Sequence, residues 1–137
     1  FRRVLFRSVM ADVEGAITTL NALREMGIAV AIDDFGTGYS SLSYLARLPV
    51  NAVKIDQSFV ARMLTSTETM SIVSSVISLA HALQLKVIAE GVETTEQRGV
   101  LSALGCDEIQ GYLVSRPVSS EAVAALLREQ VVLPAMA

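Results

Sequence analysis

Tryptophan is absent from this 137-residue chain, cysteine and histidine occur once each, proline three times, and aromatic residues make up only 5%. A single cysteine, Cys106, excludes an internal disulfide and any cysteine-rich zinc centre, and it fits a buried small hydrophobe. Every apolar stretch is broken by Gly, Pro or a charge well short of the ~18 to 20 residues that cross a bilayer, so no transmembrane helix is expected. Charge of one sign is also in short supply: 11 Lys and Arg stand against 14 Asp and Glu, a formal net charge of −3. Three of the arginines, Arg2, Arg3 and Arg7, sit at the very start, so the rest of the chain is more acidic still. A groove for a nucleic-acid polymer needs clustered Lys and Arg, and that class of partner is excluded.

What is there is a globular composition, 52% hydrophobic and 18% charged, sufficient for one compact domain. The opening FRRVLFRS is too short for a targeting or membrane-surface segment, so residues 1–8 are expected to be a ragged or non-native start. The domain proper is assigned to 9–130 and a tail to 131–137.

Along the chain, helical and strand patterns alternate. Apolar residues at Val13, Ile17, Leu20, Leu23 and Met26 predict a helix over 12–26, stopped by Gly27. IAVAID (28–33) predicts a strand buried on both faces. After a Gly- and Ser-rich loop, a short helix is expected over 41–48, closed by Pro49. NAVKID (51–56) predicts a second strand, 67–83 a long helix and KVIAE (86–90) a third strand. Thr94 with Gln97 forms a capping box for a helix running to Leu104, with Gly105 as its stop. A short fourth strand, 108–110, precedes a last helix from Ser119 or Ser120 that turns Val123, Leu126 and Leu127 to a core. This alternation implies an α/β fold with a parallel sheet, either a doubly wound open sheet or part of a (β/α)8 barrel. The glycine fingerprint of a dinucleotide fold is absent, since the GTG at Gly36–Gly38 lacks its third glycine.

The four expected strands end in Asp33 and Asp34, Lys54 and Asp56, Glu90, and Gln110. In a barrel those ends share one mouth, where catalytic groups gather from several strands. Adjacent carboxylates repel one another there unless a cation lies between them, and oxygen ligands suit Mg²⁺ or Mn²⁺. With Lys54 and Glu90 close by, the set matches two-metal phosphodiester hydrolysis. Each residue taken singly also has a structural explanation: Asp33 and Asp34 as strand end and helix cap, Lys54 with Asp56 as an ion pair, Glu90 and Glu93 as acids near a helix N-terminus. His81, flanked by alanines with no acid or cysteine at ligand spacing, fits packing or surface. Asp34-Phe35-Gly36 mimics a kinase magnesium motif but lacks that family's other segments.

AIDDFGTGYSSLSYLARLPVNAVKIDQSFV, then VIAEGVET, then IQGYLVSRP, taken together, resemble the C-terminal half of the EAL domain, the cyclic-di-GMP phosphodiesterase family, over about Val9 to Leu127. The resemblance implies a partial (β/α)8 TIM-type barrel of about four C-terminal βα units, from a family in which one strand is reversed. It implies hydrolysis of cyclic di-GMP to linear pGpG with Mg²⁺ or Mn²⁺ in a two-metal site. By motif, Asp33 is similar to the carboxylate touching both metals and Asp34 to a ligand of the second. Lys54 is similar to the residue orienting water or phosphate, and Glu90 to the general base or a second-site ligand. Glu93 would steady the DFGTGYSS loop, in which Gly36 and Gly38 supply backbone freedom and through which the family links dimerisation to activity. Gln110 would lie on the substrate side, and Asp56 beside Lys54 or the substrate. The resemblance further implies a homodimer of the complete domain, a cytoplasmic catalytic domain, and membrane attachment only through upstream domains.

The family's Glu-x-Leu motif, the Asn ligand after it and a further Glu before the first helix do not occur in these 137 residues. Three metal ligands are thus lacking, and the chain by itself is expected to be inactive. A degenerate domain that senses the dinucleotide or a protein partner is the competing reading, and a different phosphate-handling barrel a third; retention of Asp33, Asp34, Lys54 and Glu90 favours the enzyme. A half-barrel exposes its outer strand edges and apolar surface. The isolated chain is therefore expected to dimerise or aggregate, and a well-behaved monomer at tens of micromolar in size-exclusion chromatography contradicts that expectation.

Overall fold

The computed structural model describes residues 12–36 and 45–128. The expectations for residues 1–8, for Gly38 and the 37–44 stretch, for the 131–137 tail and for the side chains of Leu126 and Leu127 lie outside the described residues.

Helix α1 covers Val13–Glu25, with Asp12 as its N-cap: the Gly15 N–H donates to Asp12 Oδ1 at 2.9 Å. Strand β1 is Ala31–Phe35 and β2 is Ala52–Ile55. Two helices follow, α2 (Gln57–Arg62) and α3 (Thr67–Ala82), then β3 (Lys86–Glu90), α4 (Thr95–Ala103), β4 (Glu108–Gln110) and α5 (Ser120–Arg128). All strand pairs are parallel, and the sheet order is β1-β2-β3-β4. That order decides between the two architectures. A doubly wound sheet reverses direction at a switch point, whereas here each strand adds beside the last, as in a barrel.

The core lies where α2 and α3 cover this sheet, with Leu101 of α4 added at its side. Val73, Ile77 and Ala80 recur at helical spacing on one side of α3 and are buried together with Val53, Ile55, Val87, Ala89 and Leu101. Cys106 belongs to the same cluster, and burial pushes its thiol up to about 11. No described helix is long and apolar enough to cross a membrane.

Three local expectations need correction. The first strand starts at Ala31, three residues later than the apolar run, and it is not buried on both faces: Ala31 is exposed, while Ile32, Asp33 and Asp34 are partly so. It pairs only with β2 among the described residues, so its outer edge lacks the cover that an interior strand receives. The second strand stops at Ile55, because Asp56 leaves the sheet to cap α2, accepting the Ser58 N–H at 2.8 Å. That six-residue helix went unforeseen, its apolar content being too short to show a period.

His81 does have an acidic partner, 26 residues downstream. Its Nε2 lies 2.9 Å from Asp107 Oδ2, which also accepts the Val87 N–H at 2.8 Å. Lys86 adds an ion pair to Glu108 at 3.1 Å. This cluster stitches the end of α3 to the N-terminal edges of β3 and β4. Burial pushes the Asp107 carboxyl up, but the hydrogen bonds from His81 and Val87, with the charges of His81 and Lys86, outweigh it and hold Asp107 below the ordinary carboxylate value. A depressed folded-state value stabilises the fold above the unfolded value and ceases to do so as pH falls through the folded one. Asp107→Asn is expected to destabilise the chain by about 1 kcal/mol at neutral pH. In urea melts across pH, the gap to wild type should close below about pH 4.

Candidate metal centre

Regular pleating would turn Asp33 and Asp34 to opposite faces of β1. The register prevents this. Ile32 stands opposite Val53 and Phe35 opposite Ile55, so two residues, Asp33 and Asp34, face Lys54 alone. This is a β-bulge, and Asp34 takes its left-handed residue, with φ +53°, a conformation that Asp tolerates better than most side chains. Gly36 continues the turn at φ +101°, where a Cβ would stand 3.1 Å from the Phe59 ring of α2.

The bulge brings both carboxylates to one side. One oxygen each from Asp33, Asp34 and Glu90 lies within 4.8 Å of the other two. Lys54 reaches in from the strand between: its Nζ stands 3.3 Å from Asp33 Oδ1 and donates to Glu90 Oε1. Desolvation pushes the Lys54 ammonium down, but the hydrogen bonds and charges of Glu90, then Asp33, outweigh it and hold it above its ordinary value. Lys54 is therefore charged at neutral pH. Three carboxylates against one ammonium leave two negative charges in a half-buried cluster, which one divalent cation neutralises. An all-oxygen donor set of this kind fits a hard cation, with Asp33, Asp34 and Glu90 as its holders.

The other expected residues surround this centre at different removes. Asp56 is held below the ordinary carboxylate value by the Ser58 hydroxyl, against the opposing effect of burial and with help from the Ser58 N–H. Its hydrogen bonds to Ser58 thus run to the start of α2, away from the carboxylate cluster. Glu93 is exposed three residues beyond Glu90, and the loop it was expected to steady falls mainly in 37–44, outside the described residues. Gln110 ends β4 directly opposite Glu90. It lines a cleft of about 430 Å³ together with Tyr112, Arg116 and Val123. The Arg116 guanidinium stacks 4.7 Å from the centre of the Tyr112 ring, which is 53% exposed. This aromatic and basic pair stands in the IQGYLVSRP segment but carries no spacing signal that singles it out in the sequence.

The family model for the EAL domain matches residues 4–117. The chain belongs to the EAL domain family. It is 46% identical over 121 residues to the cyclic di-GMP phosphodiesterase NbdA of Pseudomonas aeruginosa, which covers 88% of this chain but only 16% of that protein. The PaMucR phosphodiesterase in its complex with cyclic di-GMP superposes with a TM-score of 0.79 at 43% identity, over 84% of this chain and 47% of that one. A complex of Klebsiella pneumoniae BlrP1 with manganese and cyclic di-GMP gives 0.71 at 40% identity, over 80% and 28%. The chain thus spans less than half the length of each of these proteins. The four parallel strands are a part of the EAL barrel.

Within this EAL segment the three carboxylates are expected to bind a divalent ion on their own, though weakly. In NMR titrations, Mn²⁺ should broaden the amides of Asp33, Asp34 and Glu90 first. Asp33→Asn should weaken that binding at least about tenfold, the loss that even outer-shell substitutions cause. Equal broadening in both proteins would place the ion elsewhere.

Proposed function

We propose that the EAL domain containing this chain hydrolyses a phosphodiester bond of cyclic di-GMP, giving linear pGpG, with Mg²⁺ or Mn²⁺ held by Asp33, Asp34 and Glu90. The observation that carries this reading is the meeting of three carboxylates and one ammonium at the C-terminal edge of adjacent parallel strands. The bound ions would supply electrostatic stabilisation to the oxygens that gain charge during the displacement.

The chain's own residues divide the remaining work. Lys54 exchanges its bond to Glu90 for a phosphate oxygen, so the Glu90 oxygen not turned to the ion can accept a proton from the attacking water. As water bonds to phosphorus the ring P–O bond breaks, and the departing sugar oxygen takes a proton from solvent. Asp56 braces the start of α2, which follows directly on the strand that carries Lys54. Gln110 lies opposite Glu90 and leads from the phosphate toward the cleft at Tyr112, where a flat purine could replace the Arg116 guanidinium against the exposed ring. In the complete domain Glu93 supports the Gly36–Gly38 loop, and that loop meets a second copy in a homodimer. The messenger places the catalytic domain in the cytoplasm. Since the sequence holds no Glu-x-Leu motif, these 137 residues bind the ion without turning over substrate.

Hydrolysis is tested on a protein carrying a whole EAL domain that ends in this chain, assayed with Mn²⁺ and cyclic di-GMP. Asp33→Ala should remove turnover. Tyr112→Ala should raise KM about tenfold with kcat retained, as the loss of one base stack worth about 1–3 kcal/mol requires. Tight binding of the dinucleotide without any pGpG would instead identify a sensor.

A further inference from the structure

Two polar side chains are buried among the described residues, Thr69 and Gln97. Thr69 bonds locally, its hydroxyl to Ser66 Oγ at 3.0 Å. Gln97 does not. Its Oε1 accepts two backbone donors, the Glu93 N–H at 2.8 Å and the Thr94 N–H at 3.1 Å, and its Nε2 donates to the Val60 carbonyl at 3.3 Å. A capping box for α4 needs only the Thr94 pair. The bonds to Glu93 and Val60 go beyond it, and the second reaches a residue 37 positions away in α2.

The two segments so joined are the exits of β2 and β3. Helix α2 starts three residues after Lys54, and the Glu93–Thr94 turn starts three residues after Glu90. Between them the Gly91 backbone packs against Gln57: a Cβ on Gly91, which has φ +69°, would stand 2.5 Å from Gln57 Cβ. Close contact alone permits sliding, whereas a buried amide with both ends bonded fixes register, because breaking either end strands a polar group without water.

We infer that Gln97 is a positioning residue for the metal centre, tying the strand exit that carries Glu90 to the one that carries Lys54, so that ammonium and carboxylate meet in a single register. The inference rests on the reading of Asp33, Asp34 and Glu90 as a cation site, and its test separates the two.

Gln97→Glu retains acceptors for Glu93 and Thr94 but, ionised, loses the donor to Val60. Gln97→Met removes all three bonds at similar volume. Leu101→Ala, a cavity on the same helix, serves as the control for lost stability. Backbone amide shifts of Lys54, Glu90 and Gly91 in the whole chain are compared by NMR, followed by titration with Mn²⁺. Both Gln97 variants should move those three amides and weaken Mn²⁺ about tenfold, while Leu101→Ala leaves the affinity within about twofold. If Gln97→Glu leaves the Lys54 and Glu90 amides in place, Gln97 is a helix cap only and the inference is overturned; the same holds if Leu101→Ala moves them equally. Should Gln97→Met fail to fold, the Gln97→Glu comparison decides. Should wild type bind no Mn²⁺, the cation site fails, while the amide shifts still decide the role of Gln97.

Discussion

The Lys54 ammonium, held between Asp33 on one neighbouring strand and Glu90 on the other, is the interaction on which the rest of this edge depends. Two unit charges 4 Å apart interact by about 4 kcal/mol at an effective dielectric of 20, so three carboxylates crowded together strain a sheet edge without a cation among them. Lys54 relieves part of that repulsion and leaves the rest for a divalent ion. A neutral residue at position 54 would leave the three carboxylates to spread, and a second lysine in the cluster would leave too little negative charge to hold a divalent ion. The site is therefore balanced between a stable sheet edge and a strong cation trap, and the position of one ammonium sets that balance.

The backbone of β1 makes the balance possible. Two consecutive acids in a strand normally serve opposite faces, and DD is then no stronger a signal than a single D. The bulge opposite Lys54, with Asp34 in the left-handed region, turns that pair into one bidentate feature. The chemistry and the irregularity explain each other. Asp is among the few side chains that accept this conformation, and the conformation gains its use because the side chain is a carboxylate.

Much of this was legible from the residues themselves. Stops and one cap announced the helices, since Gly27, the Thr94–Gln97 box and Gly105 act on backbone groups within a few residues of themselves. KVIAE and the 108–110 strand were bounded correctly for the same local reason. The carboxylate cluster was legible because a parallel sheet collects successive strand ends at one edge. The illegible parts are those that depend on distant partners. The bulge exists only relative to Lys54, the exposure of β1 only relative to a neighbour it lacks among the described residues, and the pairing of His81 with Asp107 only once the end of α3 meets the turn before β4. Gln97 shows both sides: its capping role follows from sequence spacing, while its bond to Val60 requires the fold.

The two ends of the strands carry different kinds of charge, and the difference has a physical sense. At the N-terminal edge, His81 with Asp107 and Lys86 with Glu108 form matched pairs, each acid answered by a base. Such pairs are satisfied in the protein alone and serve only to hold elements together. At the C-terminal edge the acids outnumber the base, and the glycines there, Gly91 against Gln57 and Gly111 against the Val92 backbone, let the strand exits pack closely. Packing of that closeness is what keeps an unbalanced cluster from relaxing apart. A sheet edge that is electrostatically incomplete yet mechanically locked gains most from a ligand that supplies the missing charge, and this separates the edge built to bind from the edge built to hold.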